Sequence, residues 1–132
     1  MKAFIGLFLL GACGLLQWGQ ACPQVDNYTE PEAVEEFISP LFGGRTEVRL
    51  WDGVRVDVLT PDHAIEVDWA KNWHEGVGQA LLYSEFTGLE PGLVLLVPDW
   101  DADSRHIYRA QVACARAGVR LWRFDMETET LR

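Results

Sequence analysis

The sequence predicts an α/β fold in the order αβββαβαβ, a mixed central sheet flanked by helices. Two β-rich runs flank Asp52-Gly53, which marks a hairpin and hence an antiparallel start. Leu93 to Val97 is an unbroken apolar run of the kind expected for a strand buried on both faces. Helix-spaced segments precede and follow that run, and strand-helix-strand units of this kind pair in parallel through right-handed crossovers.

The chain has 132 residues, with 20 acidic against 11 basic side chains and a net charge near −9. That length fits one domain. Its 48% hydrophobic content and six Trp exclude a disordered tail, and three Cys are too few for a disulfide-built miniprotein. Bulk charge excludes attraction to a polyphosphate, so any nucleic-acid role has to rest on a local basic patch or on bound cations.

Residues 1–21 read as an export signal that precedes a single domain over 22–132. Lys2 is a minimal basic start, and Ala3 to Leu10 is an apolar run too short to span a bilayer. Leu10-Gly11-Ala12-Cys13 has the form of a bacterial lipobox, which would leave a lipid on Cys13, while Gly19-Gln20-Ala21 offers an ordinary cleavage site. The expected location is the periplasm or a lipid anchor at the cell envelope. Cys22 and Cys114 then remain as a pair that is compatible with a disulfide, or as one buried and one free thiol.

In the mature region Thr29-Glu30-Pro31-Glu32 is a capping box with an early proline, followed by Ala33, Val34, Phe37 and Ile38 at helical spacing. This helix is expected to end before Pro40. Strands follow at Thr46 to Leu50, Val54 to Leu59 and His63 to Trp69. A helix from Trp73 to Phe86, packing through Trp73, Val77, Ala80, Leu81 and Ser84, stops at Thr87-Gly88. After the apolar strand, Asp103 or Ser104 can cap a helix carrying Ile107, Tyr108, Gln111 and Cys114 and closing at Gly118. Val119 to Phe124 is the last expected strand.

The chemistry concentrates between Gly43 and Tyr83. Alternation along a strand puts Glu66 and Asp68 on one face, and Asp57 joins them if its strand pairs with theirs. Carboxylates so crowded repel unless a cation sits between them, and oxygen ligands suit Mg²⁺ or Mn²⁺. Hairpin register decides whether Glu47 is a further ligand. A two-residue loop, Asp52-Gly53, turns it away, whereas a three-residue loop, Trp51-Asp52-Gly53, sets it opposite Asp57. Lys71 is the only nearby ammonium, and Arg45, Arg49 and Arg55 can supply a positive patch for DNA or RNA. Gln79 and Tyr83 are spaced to share one ridge of the helix, so both face the site or both face away.

At these residues the chain resembles the PD-(D/E)XK nuclease-like superfamily. Asp57 matches its first acidic position, Glu66 its second, and Gln79-x-x-x-Tyr83 its helix motif. The chain is more similar still to small, mostly uncharacterised bacterial proteins that carry the series Arg-Val-Asp, Ala-Ile-Glu-Val-Asp and Gly-Gln-x-Leu-x-Tyr. The resemblance implies a restriction-endonuclease-like core and a metal-dependent phosphodiester hydrolase using Asp57, Glu66, Asp68, Lys71, Gln79 and Tyr83, with Asp57, Glu66, Asp68 and Glu47 as candidate metal ligands. Where the superfamily motif has Lys, this chain has Asp68. Three alternatives follow: Lys71 takes over that charge, Asp68 is a further ligand, or the fold persists as a binding or structural module of the envelope.

Other constellations are weaker. Asp99-Trp100-Asp101-Ala102-Asp103 opens like a calcium loop, but Ser104 and Ala110 stand where that loop needs Gly and Glu. The three His and the Cys lack zinc-ligand spacing, and the Ser residues lack a nucleophile elbow.

Overall fold

The computed structural model describes residues 28–132, so the expected signal over 1–21, Cys13 and Cys22 lie outside the described residues. Helix α1 (Glu30–Ala33) continues through a π-helical turn (Val34–Ile38) into helix α2 (Ser39–Phe42). The Glu32 carboxylate accepts from the Thr29 N–H at 2.8 Å and from its hydroxyl at 2.7 Å, fixing the start. The expected stop before Pro40 is overturned. Proline disrupts an α-helix because its ring meets the carbonyl four residues back. Here the Ser39 N–H bonds back to the Val34 carbonyl, five residues away, so the widened turn accommodates the ring. The helix ends instead at Gly43, whose φ of 63° is the left-handed conformation of a glycine C-cap.

Six strands follow in the order β1-β2-β3-β4-β5-β6 across one sheet. Strands β1 (Arg45–Arg49), β2 (Arg55–Leu59) and β3 (His63–Trp69) pair antiparallel. Strands β3, β4 (Glu90–Val97) and β5 (Arg120–Asp125) pair in parallel. Helices α3 (Trp73–Thr87) and α4 (Trp100–Ala117) make the crossovers. The α/β class and mixed sheet therefore stand as expected, with one short extra strand, β6 (Thr130–Leu131), antiparallel to β5.

The central strand explains why the sheet is a three-layer core. Val94 and Leu96 pack under the first helical segment, while Leu93, Leu95 and Val97 point to α3 and α4. All five are fully buried, and each contributes about 1.5–3 kcal/mol by the usual area relation. Cys114 belongs to the α4 side of this core, and burial pushes its thiol up to about 11, so it stays protonated and inert.

Two helices differ in detail from the sequence expectation. Helix α3 buries Gly76, Ala80 and Tyr83, while Leu81 is exposed, so the packing stripe is rotated toward Tyr83. Helix α4 begins earlier than Asp103. Asp99 caps it by accepting from the N–H groups of Asp101 at 2.9 Å and Ala102 at 3.0 Å. Of the residues it carries, Ile107 and Cys114 are buried, while Tyr108 and Gln111 face outward.

Candidate functional site

The site begins with the hairpin of β1 and β2. Leu50 N–H donates to Val54 at 2.7 Å, and Gly53 N–H donates to Leu50 at 3.0 Å. The loop is thus the three-residue one, with Gly53 at φ 93°. This register sets Glu47 opposite Asp57, between the pairs Thr46–Val58 and Val48–Val56. Glu47 itself adopts φ 51°, and its carboxylate turns to Arg55 at 2.6 Å.

β2 pairs with β3 through only Val58–Ile65 and Leu59–Ala64. The next step of that register brings Asp57 opposite Glu66, and there the strands part. The Asp57 carboxylate accepts the Val67 N–H at 2.8 Å, so a side chain replaces the next backbone rung of the ladder. Beyond this point the hairpin curls over α3. Val48, Leu50, Val54 and Val56 pack with Ala64 and Tyr83, and the tip Trp51 rests on Phe86, with ring centroids 5.2 Å apart.

The gap so opened collects acids. Glu30, Asp57 and Glu66 each offer a carboxylate oxygen, and all three oxygens lie within 4.8 Å of one another. Glu66 is 3% exposed, and its Oε2 is buried without a hydrogen-bond partner. Asp68, also buried, lies beside Glu30 and accepts from the Trp69 N–H at 2.7 Å and from Asn72 Nδ2 at 3.0 Å. Burial, then the adjacent Asp57, pushes the Glu66 carboxyl up to about 10. Burial, then Asp68 and Asp57, pushes Glu30 up to about 7. Burial also raises Asp57 and Asp68, against the hydrogen bonds that hold their charged forms.

Tyr83 faces this cluster, and the exposed Gln79 reaches it only through the Tyr83 hydroxyl. The Tyr83 hydroxyl donates to Gln79 Oε1 at 3.1 Å and lies beside Glu66. Burial and the Glu66 charge raise the Tyr83 hydroxyl above its ordinary value, so it remains a donor at any pH of interest. Gly76, one turn earlier on α3, lets the helix sit close: a Cβ there would fall 2.7 Å from a Leu93 methyl and 3.5 Å from Asp68 Cβ.

The structure brings Asp57, Glu66, Asp68, Gln79 and Tyr83 together and sets Glu47 at the margin. It does not bring Lys71, which is exposed on the 3₁₀ turn Ala70–Asn72 with no carboxylate among the described residues within 4.0 Å. Glu30 was not among the residues expected from the sequence. An acid in the first turn of a helix is already explained by the helix dipole, which masks any second role. Only the folding of α1 against the split between β2 and β3 gives it one.

All three donors of the cluster are oxygens, which fits a hard divalent cation such as Mg²⁺ or Mn²⁺. Glu30, Asp57 and Glu66 are the residues that would hold it. Glu66 also carries a buried oxygen with no hydrogen-bond partner, the kind of group a bound ion would satisfy. Comparison of this chain with protein-family models, with curated proteins and with solved structures found no match in any of the three.

Proposed function

We propose that this protein is a metal-dependent phosphodiester hydrolase of the nuclease-like type, with Glu30, Asp57 and Glu66 as ligands of Mg²⁺ or Mn²⁺. The observation behind the reading is the convergence of three carboxylate oxygens within 4.8 Å, one on a side chain otherwise closed to solvent. When bound, such an ion polarises a phosphodiester and assists attack by water. Tyr83, whose hydroxyl donates to Gln79, lies beside Glu66. Asp57 is oriented by the Val67 N–H. Arg45, Arg49 and Arg55, all exposed on the hairpin strands, offer the positive charge that a DNA or RNA backbone needs near an acidic centre. Asp68 extends the acidic set through Glu30, and the reading of residues 1–21 as an export signal supports a location in the periplasm or on a lipid anchor at Cys13.

A second reading, a cation-holding envelope module without hydrolysis, draws on the same region. Asp68 occupies the place of the superfamily's lysine, and Lys71 stands apart from the acids. Two measurements on the mature protein separate the readings. Calorimetric titration with Mn²⁺ is expected to show binding that Asp57→Ala abolishes. Cleavage of DNA or RNA in Mg²⁺ or Mn²⁺ is expected to disappear in the Asp57→Ala, Glu66→Ala double variant. Cleavage that survives both substitutions removes the acids from the mechanism, and binding without cleavage selects the module.

A further inference from the structure

We infer that the β1–β2 hairpin is a recognition arm for single-stranded nucleic acid, in which Trp51 stacks an unpaired base and the Arg49–Arg55 pair holds the neighbouring phosphate. This substrate class deepens the hydrolase reading and rests on it for its catalytic consequence. Its own argument comes from the hairpin.

Arg49 and Arg55 are directly opposite each other across the two strands. Side chains so placed share a face with their β-carbons about 5 Å apart, and like charges there destabilise the pair. Arg55 is ion-paired to Glu47 at 2.6 Å, whereas no carboxylate among the described residues lies within 4.0 Å of Arg49. Both residues are exposed. A phosphate between the two guanidiniums relieves the repulsion and accepts from both.

Trp51 at the tip is 81% exposed, although Trp is among the most buried side chains on average. Phe86 touches its ring at 5.2 Å with the two planes tilted by 59°, so most of the indole stays open to solvent. That is the form of a stacking platform. A duplex keeps its bases stacked on one another and presents none to such a ring, so the platform selects single strands.

The order along the hairpin gives the arm its direction. Trp51 is followed at two residues by Arg49 with Arg55 opposite, and at two more by Glu47 with Asp57 opposite. Each step is about 6.7 Å of strand. The apolar face, Val48, Leu50, Val54 and Val56, is committed to Tyr83 and Ala64, which leaves the arginine face open beside the acids.

The test is anisotropy of a labelled 12-nucleotide single strand and of the matching duplex, with the purified protein in EDTA so that no hydrolysis contributes. The single strand is expected to bind about tenfold or more tighter than the duplex. Trp51→Ala is expected to weaken the single strand by about 5- to 150-fold and the duplex little, with Trp51→Phe in between. Arg49→Ala is expected to reduce the salt slope by about 0.7. Equal binding of duplex, indifference to Trp51→Ala, or no binding of either strand overturns the arm. A protein that binds in the expected way but cleaves nothing in Mg²⁺ or Mn²⁺ overturns the hydrolase reading and leaves the arm in place.

Discussion

Glu66 joins two properties that water would keep apart: a carboxyl group and near-complete enclosure. Its neighbours on the site side are Asp57 and Glu30, with the Tyr83 hydroxyl beside it, so no cation among the described residues compensates it. With the carboxyl held near 10 in the folded state against about 4.3 in a free chain, Glu66 is protonated at neutral pH in the absence of a cation. The folded state therefore binds more protons than the unfolded one across that interval. Stability from this group is fully present below about pH 4.3 and is lost as pH rises toward about 10. Urea titrations in EDTA are expected to show stability falling from pH 5 to pH 9. Glu66→Gln, which cannot ionise, is expected to flatten that profile and to stabilise the protein at pH 8 by about 1–3 kcal/mol. A profile as steep as that of wild type would contradict the protonated Glu66. Glu30, pushed up to about 7, adds to the slope over the lower part of the range.

At the scale of elements, the hairpin does what no single residue does, because its departure from the sheet opens the space the acids share. Its entry is fixed by Gly44, where a Cβ would lie 2.7 Å from the Leu59 carbonyl oxygen and 2.8 Å from a Val58 methyl. Backbone cannot yield as a flexible side chain does, so Gly44→Ala is expected to destabilise the fold by about 1–3 kcal/mol in chemical denaturation. The same hairpin shows what was legible in the sequence. Alternation along β3 announced Glu66 and Asp68, and the Asp52-Gly53 turn announced β1 and β2. The turn left two registers open, and only the folded loop selects the one that sets Glu47 against Asp57. The left-handed backbone of Glu47, and its commitment to Arg55, had no signal in residue pattern. The passage of the first helical segment through Pro40 was also hidden, since it depends on a π-turn that local propensity does not encode. Glu30 was hidden for a third reason: its place in the cluster is set by packing of α1 across the sheet, between residues 27 and 36 positions apart.

The whole molecule carries a net charge near −9, and three of its acids, Glu30, Asp57 and Glu66, converge where α1, β2 and β3 meet. Holding them together without a cation requires protons, so ion binding and proton release are coupled. Addition of Mn²⁺ is expected to raise the melting temperature, and to do so more at pH 8 than at pH 5. At about 100 times the dissociation constant the gain is about 2.7 kcal/mol. Differential scanning calorimetry at the two pH values measures it, and an equal shift at both would show that no protons are displaced. No helix among the described residues is long and apolar enough to cross a membrane.

Asp68 gives the turn after β3 its shape, since one oxygen of its side chain receives both the amide of Trp69 and the amide group of Asn72. A lysine brought back to that place could accept neither, because an ammonium only donates. Asp68→Lys would therefore unfasten the corner that leads into α3. On the proposed hydrolase reading, a charge to meet the departing oxygen of a phosphodiester comes from another part of the chain or from the substrate's own counterions.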